Sequence, residues 1–180
     1  MNRKWMALLP DDRLICHNSR DLMLFDLNDA AVRTADPFQQ NHYPAPQPPI
    51  ASFRWLVTGI SRPHLVDDTI RFSVVIRDSI KGLIIPRSRS ATNVVDSVDL
   101  VSDTTFDPDS VVNYDRVVGT LTGLRGLVVA RFTWPDDPSS SVMIQETDLP
   151  FSLNALFDSS SGRVVVTKIS DDLATFDLTA

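Results

Sequence analysis

The sequence predicts an all-β protein built of antiparallel sheets, on three observations. Val, Ile, Leu and Phe fall in short runs bounded by Asp, Ser, Pro and Gly. Runs of about four to eight such residues suit strands, whereas a surface helix repeats apolar residues at three- and four-residue spacing over a longer window. The runs also recur at short intervals, which favours an antiparallel sandwich, barrel or propeller over alternating strands and helices. Finally, the two ends of the chain echo each other. Asp12-Arg13-Leu14-Ile15 aligns with Gly162-Arg163-Val164-Val165, and Leu22-Met23-Leu24-Phe25-Asp26-Leu27 with Leu173-Ala174-Thr175-Phe176-Asp177-Leu178.

Strands are expected, in order, at 14–17, 22–27, 51–58, 70–77, 82–86, 117–121, 127–134, 142–147, 162–169 and 173–178. Ahead of each echoed hairpin stands an apolar step, Ala7-Leu8-Leu9 and Ala155-Leu156-Phe157. In the hairpin from Ile70 to Pro86, Phe72, Val74 and Ile76 alternate toward a core, and Asp78-Ser79 turns the chain. That alternation puts Arg71, Ser73 and Arg77 toward water. In the second clear hairpin, Pro135-Asp136-Asp137-Pro138 and the serines after it have the fixed φ and short polar side chains of a loop, here joining Leu127–Trp134 to Val142–Thr147. Two stretches interrupt the pattern. Residues 35–49 contain Pro37, Pro44, Pro46, Pro48 and Pro49 and read as a long extended loop. Residues 87–115 are polar and acidic, with one weak strand around Val94 to Val101. The chain reads as a single all-β domain over residues 1–180.

The echo sharpens the architecture. A repeated unit of apolar step, turn, strand, turn and strand is the mark of propeller blades, each burying its faces against its neighbours. At about 40 to 45 residues per blade, 180 residues make a small or partial propeller of about four blades; a β-sandwich is the alternative.

Composition narrows the partners. A net charge of −6 repels phosphate backbones and anionic lipid surfaces, so neither nucleic acid nor membrane is expected. No run approaches the roughly 18 apolar residues of a membrane helix. The apolar run Trp5 to Leu9 is too short for a signal-peptide core. Cys16 is the single cysteine, so no internal disulfide framework exists, and an intracellular location, cytoplasmic or nuclear, is expected.

Catalytic chemistry is not expected, nor any metal or cofactor. His17, His42 and His64 stand in unrelated contexts, and Cys16-His17, as strand neighbours, point to opposite faces. Asp103, Asp107 and Asp109 lack the glycine and terminal glutamate of a calcium loop. Gly119, Gly123 and Gly126 are spaced as turn glycines, with no phosphate cradle. A hydrolase using aspartates such as Asp107 or Asp109 is the enzymatic alternative. Trp5 and Trp55 fit a core, while Tyr43 and Trp134, with Asp136 and Asp137, sit in or beside loops and are candidate contacts to a partner protein.

One more specific likeness rests on Leu8-Leu9-Pro10-Asp11-Asp12-Arg13-Leu14-Ile15 leading to Leu24-Phe25-Asp26-Leu27, on Lys81-Gly82-Leu83-Ile84-Ile85-Pro86, on Phe132-Thr133-Trp134-Pro135-Asp136-Asp137, and on Leu156 to Val166. In these the chain resembles the C-terminal, propeller-like half of the F-box proteins of mushroom-forming fungi. The resemblance implies a protein-interaction module of the substrate-recognition kind found in ubiquitin-ligase receptors. No F-box segment precedes the first hairpin, so the ligase adaptor is not an expected partner, and a truncated paralogue or a non-functional fragment is a further reading.

Overall fold

The computed structural model describes residues 5–18, 20–27, 48–88, 95–108, 110–121, 126–137, 142–150, 155–158, 163–167 and 173–177. These contain sixteen strands and no helix, so the protein is all-β, and every pairing is antiparallel. None of the described residues forms a helix long and apolar enough to cross a membrane. Contacts group the chain into two compact units, Met1–Leu56 and Val57–Ala180.

The first unit is one meander of β1 (Trp5–Leu8), β2 (Arg13–His17), β3 (Leu22–Asp26) and β4 (Ala51–Phe53), in that spatial order. Strand β2 alternates as the sequence pattern requires: Arg13, Ile15 and His17 are buried, Leu14 and Cys16 half-buried. Its entry turn needs a left-handed residue, and Asp12 supplies it at φ 60°, a conformation that aspartate tolerates better than branched residues do. The exit turn is closed by Asn18, whose side-chain oxygen accepts from the amides of Arg20 and Asp21, each at 2.9 Å.

The second unit begins with a five-stranded sheet of β5 (Val57–Ile60), β6 (His64–Val66), β7 (Thr69–Ile76), β8 (Ser79–Pro86) and β9 (Asp96–Val101). A four-stranded meander follows, β10 (Val111–Val112), β11 (Arg116–Gly119), β12 (Gly126–Phe132) and β13 (Val142–Pro150), then three strands, β14 (Ala155–Asp158), β15 (Arg163–Thr167) and β16 (Leu173–Asp177). The core lies between the first two of these sheets, where Val75 and Ile80 meet Val117, Val128, Ala130 and Phe132.

Three local expectations are corrected. Residues 51–58 are not one strand: the Trp55 amide donates to the Phe53 carbonyl at 2.9 Å, and this tight turn ends β4 before β5 begins. Strand β7 does not present Arg71 and Ser73 to water, because the sheet is covered on both faces and residues 70–75 are all buried; Arg77, just beyond it, is exposed. The apolar steps of the echo are offset by one residue. Leu8 pairs with Leu14 and Phe157 with Val164, so Leu8 corresponds to Phe157, and not to Leu156. The hairpins themselves match in register: Arg13 faces Asp26 and Leu14 faces Phe25, as Arg163 faces Asp177 and Val164 faces Phe176.

Candidate functional site

Arg71 is the central polar residue of a buried strand, flanked by Ile70 and Phe72. A charge there has to be paired and hydrogen-bonded. Its Nε donates to Thr69 Oγ1 at 3.1 Å, and its two Nη atoms donate to the two carboxylate oxygens of Asp136 at 2.8 and 2.7 Å. The guanidinium carbon also lies 5.2 Å from the Trp134 ring centroid, within cation–π range. The loop that delivers Asp136 is tied by the Asp137 amide donating to the Trp134 carbonyl at 2.8 Å.

Trp134 fits against β8 because residue 82 is glycine. A Cβ there would stand 2.6 Å from Trp134 Cζ3 and 2.8 Å from Cη2, closer than atoms can pack. Tyr114 stacks on the indole at 5.1 Å between centroids and 14° between planes, and the His64 ring lies 4.6 Å from Tyr114. The Tyr114 carbonyl accepts twice, from Ser73 Oγ at 2.6 Å and from Trp134 Nε1 at 3.1 Å. Strands β7 and β12, through the residues that follow it, are thus tied to one backbone oxygen.

Beside this stack opens a cleft of about 840 Å³. Its second wall is a row across three strands: Arg116 of β11 pairs with Arg131 of β12, which pairs with Met143 of β13, and all three line the cleft. Arg116 is held by a two-pronged bond to Asp115, at 2.9 and 2.8 Å. Arg131 is different. Among the described residues its side chain has neither a hydrogen bond nor an ion pair, and its Nε is buried without a partner.

The electrostatics follow from these pairs. The Arg71 hydrogen bonds hold the Asp136 carboxyl below the usual aspartate range. Burial works to raise Asp115, but the Arg116 bond and charge outweigh it, and this carboxyl too is lowered. Burial raises the Tyr114 phenol although Arg71 draws it down, and burial lowers His64 against the pull of Asp115. Both carboxylates are therefore kept ionised and committed to arginines.

Among the residues singled out by sequence, Asp136 and Asp137 line the cleft and are exposed. Trp134 lines it as well, but at 3% exposure it is a wall and not the projecting anchor that its place beside a loop suggested; the space above Gly82 draws the ring inward. Tyr43, Asp109, His42 and most of the proline-rich stretch lie outside the described residues. Asp107 is a turn residue: its Oδ2 accepts from the Thr120 hydroxyl and its carbonyl from Ser110. Asp103, at φ 56°, also shapes a turn. Sequence reasoning missed Arg71, Tyr114, Arg116, Arg131 and Met143. The available signal was an arginine inside an apolar run, as in Arg71-Phe72-Ser73-Val74-Val75 and Val128-Val129-Ala130-Arg131-Phe132, together with a lone glycine inside a strand, which marks a close approach.

Comparison with protein-family models and with curated proteins gives no match for this chain. The class that fold and site define is an all-β protein with an arginine-lined, aromatic-walled cleft.

Proposed function

We propose that the chain is a protein-interaction module on a propeller-like scaffold, and that the cleft beside Trp134 is where its partner docks. The observation that carries this reading is the cleft itself, which joins aromatic and arginine side chains in the combination that dominates protein–protein hot spots. The propeller reading is supported by the division of the strands into four antiparallel sheets that follow one another along the chain and by the matching registers of the two echoed hairpins; with the resemblance to fungal F-box proteins it suggests substrate recognition. Binding is favoured over hydrolysis because the two cleft carboxylates, Asp136 and Asp115, each have both oxygens taken by an arginine.

The test is capture from a lysate of a mushroom-forming fungus by the immobilised chain and by its Met143→Asp variant. Met143 is half exposed, so the variant should fold. The expected result is a partner protein retained by the native chain and lost from the variant. Equal capture by both removes the cleft from the reading.

A further inference from the structure

Arg131 is the one arginine of the cleft that the described residues leave without a carboxylate, since Arg71 has Asp136 and Arg116 has Asp115. A guanidinium whose Nε is buried without an acceptor has lost water contacts that nothing within the described residues replaces. Its planar donor fork matches a carboxylate. The surroundings favour a single negative charge over a dianion, because Asp115, Asp136 and Asp137 line the same cleft.

The neighbouring strand suggests how such a carboxylate arrives. Among the described strands β13 pairs only with β12, which leaves its other edge as a row of backbone donors and acceptors. Val142, Met143 and Ile144 are exposed by 53%, 46% and 46%, so consecutive residues pointing to opposite faces both meet solvent. An extended segment can add to such an edge as a further strand. A residue of that segment opposite Met143 falls in the row of Arg116, Arg131 and Met143. It stands about two strand spacings, roughly 10 Å, from Arg131, a gap that a long acidic side chain and an arginine close from both ends.

We infer that the cleft recognises an acidic side chain, glutamate above all, on an extended polypeptide that pairs with the free edge of β13, and that Arg131 is the residue that reads it. This rests on the proposed docking role of the cleft and gives that role a ligand chemistry.

The experiment is fluorescence polarisation with the full chain and a labelled strand-forming probe, acetyl-Thr-Val-Glu-Val-Thr-amide, against its glutamine counterpart, with sodium acetate as a free-carboxylate competitor. The glutamate probe should bind at least tenfold more tightly than the glutamine probe. Arg131→Ala should lose that tenfold preference with little change in melting temperature, because among the described residues the Arg131 side chain makes no hydrogen bond or ion pair, and Arg131→Lys should retain part of it. Equal binding of the two probes, or full preference in Arg131→Ala, overturns the inference. Displacement by acetate at the concentration expected of a simple small-acid site overturns the polypeptide assignment. If the glutamate probe fails to bind while Met143→Asp still abolishes partner capture, the carboxylate inference falls and the interaction-module reading stands.

Discussion

Removing Asp136 should cost more than removing Arg71, although the two share one ion pair. In Asp136→Ala, the Arg71 guanidinium, only 9% exposed, loses two charge-assisted hydrogen bonds and keeps Thr69 Oγ1 and the Trp134 ring. Hydrogen bonds to charged groups contribute about 1.5–3 kcal/mol each. Asp136 is 57% exposed, however, and water both screens the pair and can enter to replace it, so a total of about 1–2 kcal/mol is expected. In Arg71→Met, the apolar bulk of the stem remains, Asp136 simply rejoins water, and the loss is chiefly the cation–π contact, about 0.5–1 kcal/mol. For a chain of this length about 1 kcal/mol lowers the melting temperature by roughly 2–4 °C. Urea unfolding followed by tryptophan fluorescence at pH 7, on both single variants and the double variant, measures each term and their coupling. A cost for Arg71→Met equal to or above that for Asp136→Ala, or no coupling between them, would show that the guanidinium is not held as argued.

Gly82→Ala should destabilise by about 1–3 kcal/mol, the usual cost of overpacking, and should shift Trp134 emission; native stability with native emission would mean the indole does not rest on residue 82. Ser73→Ala should cost about 1 kcal/mol, since Trp134 Nε1 still serves the Tyr114 carbonyl; thermal melts decide. Acid should act in two stages. His64 is lowered from 6.5, so the unfolded chain takes up its proton first, and stability should begin a slight decline as pH falls below 6.5. Asp115 and Asp136 are lowered from 3.8; the stability they contribute is complete above 3.8 and is lost as pH falls further through their folded values. His64→Asn should abolish the first stage and leave the second, as read by unfolding midpoints across pH.

The strands were legible because apolar runs and turn residues are local. Leu22, Leu24 and Ile15 alternate in sequence and are buried in the structure, and the turns at Asp12 and Asp67 use aspartate where a left-handed φ is needed. What was not legible is whatever a second sheet decides. The alternation in β7 is the same whether its far face meets water or a neighbour, so the burial of Arg71 and Ser73 could not be read from β7 alone. Trp134 was correctly placed at the edge of a loop, but its direction depends on a glycine more than fifty positions earlier. The row of Arg116, Arg131 and Met143 exists only through register, which no single strand specifies.

The doubly accepting carbonyl of Tyr114 has a consequence for how the second unit opens. Ser73 reaches it from the five-stranded sheet and Trp134 from the end of β12, so the two sheets cannot part without leaving a buried donor, the Ser73 hydroxyl or the Trp134 indole N–H, without its acceptor. Amide protons along β7 and β12 should therefore exchange with deuterium at a common opening free energy, as one cooperative block, and not as two sheets fraying on separate clocks.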